Sequence, residues 1–90
     1  MKIQETNERD PAALALAALG WTLADDARAG RLLALTGLTA GDLRAGLGEP
    51  ATLAAILRFL EAYEPDLVAC AEALAVAPSA LVEAGRRLER

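Results

Sequence analysis

Each of the four prolines in this 90-residue chain opens an apolar segment: Asp10-Pro11, Glu49-Pro50, Glu64-Pro65 and Ala77-Pro78. Proline suits the first turn of a helix, where its missing N–H costs nothing, and it biases the residue before it out of helical geometry. The chain is therefore cut into short helices joined by sharp turns. No run of β-branched residues is long enough for a strand, since there are only three Val and two Ile. Alanine and leucine, 22 and 17 residues, supply most of the apolar surface. The expected fold is all-α, a compact orthogonal bundle of five or six short helices.

Residues 1–9 hold only Met1 and Ile3 as apolar groups, which predicts a mobile N-terminal tail, with residues 10–90 forming a single helical domain. Asp10 can accept the first free amide hydrogens of helix one, which runs to about Ala24 with Gly20 inside it as a local weakness or a close-packing point. Asp25-Asp26 offer a new cap for helix two, which Gly37 stops at a position suited to left-handed geometry. On that helix Arg28 and Arg31 are expected on the wet side, with Leu32 and Leu35 turned inward. Thr39-Ala40-Gly41-Asp42 resembles a capping box with Asp in place of Glu, opening a short third helix that Gly46 and Gly48 end. In the fourth, Leu53, Ile56, Leu57 and Leu60 stand at i, i+3, i+4 and i+7, on one stripe of a 3.6-residue helix. The inward side of the fifth reads as Leu67, Val68, Ala71, Leu74 and Ala75, and that of the last as Leu81, Val82, Gly85 and Leu88.

The charge balance, 9 basic against 13 acidic residues with no His and one Cys, gives a formal net charge of -4. One Cys allows no internal disulfide, and Cys70 between two alanines suits a reducing compartment. Pro11 to Ala24 is apolar apart from Gly20 and Thr22, but the residues before it carry three acids against two bases, unlike the positive leader of a signal peptide. It is also too short to cross roughly 30 Å of hydrocarbon as a helix. A cytoplasmic protein without a membrane segment is expected.

Catalysis is poorly provided for. With no His and no second Cys, there is no set of zinc or iron ligands, and the acids lack calcium-loop spacing. Asp25-Asp26 with Asp10 could be imagined as a metal site, yet adjacent acids at a helix start are the ordinary complement of its dipole. The glycines at 37, 41, 46 and 48 follow no strand and precede no P-loop lysine, so they cradle no phosphate. Cys70 reads as a small apolar packing group and Ser79 as part of the last helix start. No enzyme, cofactor or metal is expected.

Two surfaces are candidates for binding. Phe59 and Tyr63 sit four residues apart and, with Ile56, widen the apolar arc of helix four to roughly 160°, counting about 100° per residue. The helix is either central and covered, or Ile56, Phe59 and Tyr63 anchor a partner protein or a second copy. Residues 69–90 resemble a helix-turn-helix in the spacing of Ala71, Leu74, Val76 and Leu81, with Ser79, Arg86 and Arg87 as nucleic-acid contacts. Ala75 stands where that motif usually has Gly, and residues 66–90 hold three Arg against four acids, which disfavours a polyanion. The leading expectation is a protein-protein interaction module without catalytic activity; the alternative is a helix-turn-helix DNA-binding protein.

The segments Ala17-Ala18-Leu19-Gly20-Trp21, Leu35-Thr36-Gly37-Leu38, Asp42-Leu43-Arg44 and Phe59-Leu60, with the Pro78 start of the last helix, carry a further likeness. In their order and spacing the chain resembles the small all-helical proteobacterial proteins grouped as domain-of-unknown-function family 3572, over nearly everything after Asp10. The resemblance implies a cytoplasmic bacterial helical domain and brings no activity, substrate or site residue with it.

Overall fold

Capping chemistry sets the helix boundaries. The structure, a computed structural model, describes residues 10–90, so the tail expected over residues 1–9 lies outside the described residues. Six helices follow one another: α1 Pro11–Leu23, α2 Asp26–Thr36, α3 Ala40–Ala45, α4 Pro50–Glu61, α5 Glu64–Leu74 and α6 Pro78–Leu88. Among the described residues no strand forms, and the chain is an all-α bundle. Asp10 accepts the N–H of Ala12 at 3.3 Å and Asp25 that of Arg28 at 3.0 Å, satisfying amide hydrogens that the helix ladder leaves free. The capping box closes both ways: Asp42 N–H donates to Thr39 Oγ1 at 3.0 Å, and Thr39 N–H to an Asp42 carboxylate oxygen at 2.9 Å. Gly37 ends α2 with φ 76, a backbone conformation that costs a residue without Cβ nothing.

The core is built around α4, which packs against α1, α2, α5 and α6. Its stripe of Leu53, Ile56, Leu57 and Leu60 is buried as expected, and Ala54 and Phe59 are buried beside it. On α6, Leu81, Ala84 and Gly85 are buried, Gly85 against Leu57 of α4, and Val82 and Leu88 pack partly against the same core. On α1 the inward side is Leu14, Ala15, Ala18, Leu19 and Thr22. The buried Thr22 hydroxyl donates to the Ala18 carbonyl at 2.8 Å, so no polar group is orphaned there.

Two helices are rolled relative to the sequence expectation. In α2 Leu32 is fully buried, but Leu35 is 73% exposed. The second contact comes from Leu33, packed partly against the core. Because α2 packs mainly on α1 and α4, its buried arc is narrow, and residues three apart already diverge by about 60°. Arg28, expected on the wet side, is half-buried against Trp21. In α5 the inward stripe is Leu67, Cys70, Ala71 and Leu74, while Val68 is exposed. Cys70 replaces Val68 because it stands three residues after Leu67 and four before Leu74, the spacing of one helix face. Ala75 lies past the helix end in the left-handed conformation, φ 60 and ψ 41, and the next N–H, of Val76, donates back to the Ala71 carbonyl at 3.0 Å.

Candidate functional site

The three residues proposed for an interface are split by the fold. Ile56 and Phe59 are buried within the chain, so the wide apolar arc of α4 is used up by the four helices around it. Only Tyr63, at the start of α5 and 52% exposed, reaches the surface. It borders a shallow groove of about 340 Å³ with Arg31, Leu35, Ala62 and an edge of Phe59. The Arg31 guanidinium stands 5.5 Å from the Tyr63 ring centroid and pairs with Asp66.

The helix-turn-helix candidate is better placed geometrically. The chain bends by 100° between α5 and α6, within the range of that motif, over a connection of three residues. Ser79, Glu83, Arg86 and Arg90 are exposed on one side of α6, with Arg87 about 100° from Arg86 at its edge. The charges there are mixed. Glu83 stands 4.0 Å from Arg90, and Glu89 pairs with Arg58 of α4. Ser79 lies in the first turn of α6, and no side chain caps that helix.

Cys70 is sealed from solvent. Burial pushes its thiol up from 9.0 to about 11, the Arg28 guanidinium opposes this, and the Asp66 carboxylate adds to it. Such a thiol is protonated and inert at neutral pH. Among the described residues no cluster of His, Cys, Asp or Glu is arranged to hold a metal ion. No single helix there is long and apolar enough to cross a membrane.

A third surface went unrecognised in the sequence. Opposite the buried side of α1, the exposed residues are Ala13, Leu16, Ala17, Gly20, Leu23 and Ala24. Leu16 and Leu23 are 43% and 45% exposed, and no polar or charged side chain interrupts them. The outward side of a surface helix ordinarily carries the charges, and a helix apolar all round is ordinarily buried. The signal was present in the uninterrupted apolar run Pro11–Leu19, which leaves no residues for a wet side. Trp21 borders this face. Arg28 stacks on it, with the guanidinium carbon 3.6 Å from the ring centroid and Nη2 donating to the Trp21 carbonyl at 3.0 Å.

No curated protein and no solved structure matches the chain. A family model described as a protein of unknown function (DUF3572) matches residues 8–90. With nearly its whole length matched and the six helices inside the matched region, the chain belongs to that family.

Proposed function

We propose that the protein is a small helical interaction module with no chemistry of its own, binding another protein through the outward side of α1. The observation that carries this reading is the apolar face from Ala13 to Ala24 that the other described residues leave uncovered, with both of its leucines more than two-fifths exposed. Contiguous apolar surface rimmed by polar residues marks interaction sites more often than it marks idle surface. The absence of His from the sequence and the sealed, protonated Cys70 support a non-catalytic role. A bacterial cytoplasm suits a lone thiol of this kind.

A photo-crosslinking residue at Ala17 tests the reading in the host cell. The expected result is a discrete adduct, competed away by unlabelled wild-type protein and lost in Gly20→Glu. A Cβ at position 20 meets nothing within 4 Å and the position is exposed, so that variant is expected to keep the fold. Yield no higher than from the same group at exposed Glu72 of α5 would refute the module.

A helix-turn-helix nucleic-acid binder is the second reading. It is favoured by the 100° bend over a three-residue connection and by the left-handed Ala75 at the turn. The net charge of -4 weighs against it.

A further inference from the structure

We infer that the outward side of α1 seats a helix of a partner protein that is apolar along one side and basic at both ends; this rests on the interaction reading above and names the partner's chemistry. The face has a shape that suits a helix. Ala13, Ala17, Gly20 and Ala24 follow one another at spacings of four, three and four, the spacing of a seam along which two helices run side by side. Leu16 and Leu23, seven apart, form a raised edge along one flank, and Trp21 borders the other. Small side chains in the seam let a second backbone approach closely while the leucine edge packs along its side. From Ala13 to Ala24 the seam is about 17 Å long, three helical turns.

Charge at the two ends selects the occupant. Asp10 stands at the N-terminal end of α1, and Asp25 and Asp26 stand at the other. Among the described residues the cation nearest this face is Arg28, which is half-buried and turned onto the Trp21 ring and carbonyl. A second copy of this chain would set carboxylate against carboxylate whether the two α1 helices ran parallel or antiparallel, and its net charge of -4 adds repulsion. An anionic membrane surface meets the same repulsion, and helices that lie on membranes carry Lys and Arg on their polar side. A helix with Lys or Arg beyond each end of a small-residue apolar side is matched at both ends. Three turns of contact fall well below the roughly 800 Å² per partner of a standard interface, so the complex is transient.

The single Trp21 beside the seam reports binding by its emission. The full-length protein is titrated with two synthetic helical peptides that share one Ala/Leu seam, one flanked by Lys at both ends and the other by Glu. The expected result is saturable binding of the Lys-flanked peptide, about tenfold tighter than the Glu-flanked one at low salt, the combined effect of a few exposed charge pairs. The preference shrinks as salt is raised, weakens in Asp26→Lys, and binding is lost in Gly20→Glu. Equal affinity for the two peptides, or no binding of either, overturns the inference. If Ala17 nevertheless crosslinks in the host, it is the partner chemistry that fails and not the module. Three results name another occupant and likewise overturn it: dimerisation of the wild type that Gly20→Glu abolishes, a Trp21 shift on anionic phospholipid vesicles that the Lys-flanked peptide does not reproduce, or a Trp21 shift caused by Ile3→Glu alone.

Discussion

Gly85 of α6 lies directly against Leu57 of α4, so close that a Cβ at position 85 would stand 3.3 Å from the Leu57 Cβ. This is where the two central helices approach, and Leu57 is itself almost fully buried. Truncating Leu57 to alanine removes buried methyl groups from a core that cannot fully collapse around the loss. The expected cost is about 2 to 5 kcal/mol. Gly85→Ala acts in the opposite way, by overpacking, at about 1 to 3 kcal/mol, against which the better helix propensity of alanine returns about 1 kcal/mol. Because the crowding atom is the Leu57 Cβ, which alanine retains, Leu57→Ala does not rescue Gly85→Ala. Denaturant unfolding of both single variants and the double variant checks this. Rescue in the double variant would show that α4 and α6 approach elsewhere.

Cys70 makes stability fall in alkali. The unfolded thiol titrates at 9.0 and the folded one at about 11, so above pH 9 the unfolded chain loses its proton first. Stability contributed by burying the neutral thiol is fully present below pH 9 and is lost as pH rises through 11, a total on the order of 3 kcal/mol. The informative quantity is wild type minus Cys70→Ala, which isolates the contribution of this one side chain. That difference is expected to be flat from pH 6 to 8 and to shrink above 9. A thiol reagent at pH 8 should label the folded protein only as fast as it opens. Immediate labelling would place the thiol at the surface.

Phe59 and Tyr63, neighbours in the sequence pattern, are expected to respond in opposite ways to a charge. Phe59→Glu buries a carboxylate among leucines without a partner and should unfold the chain. Tyr63→Glu and Leu35→Glu change exposed side chains and should stay within about 0.5 kcal/mol of wild type. Circular dichroism and thermal melts separate these outcomes. A folded Phe59→Glu would return the α4 aromatics to the surface.

The helix ends were legible because their chemistry is local. Asp10, Asp25, the Thr39/Asp42 pair and Gly37 act on backbone groups within a few residues, and the structure places them in the roles their spacing implies. The α4 stripe was legible because four large side chains mark it. Rotation about a helix axis was harder to see where Ala is frequent. In α5, Val68 is the more hydrophobic side chain, yet helical spacing from Leu67 and Leu74 turns Cys70 inward. In α2, Leu35 follows Leu32 by one turn, yet it projects past the contacts with α1 and α4. The α1 face was missed for the converse reason. A helix apolar on every side gives no periodicity, and only the placement of its neighbours shows which half is left uncovered.

Nucleic acid offers the sharpest contrast between the two functional readings. The bend at Ala75 gives α5 and α6 a relative orientation compatible with groove binding, so geometry alone does not exclude it. Affinity for a duplex depends on neutralised phosphates, and the exposed side of α6 offers few. Glu83 stands against Arg90, and Arg58 is engaged by Glu89, which leaves Arg86 and Arg87 as the exposed cations of α6 without an ion pair among the described residues. About 100° separates those two on the helix, so they reach for different phosphates. Two such contacts give a slope of roughly -2 in a plot of log affinity against log salt, and weak binding at physiological ionic strength. A duplex titration at low and moderate salt, with wild type and an Arg86→Ala, Arg87→Ala double variant, measures this directly. The expected result is weak binding that vanishes as salt rises. Submicromolar binding that persists at moderate salt and is lost in the double variant would replace the interaction module with a DNA-binding protein.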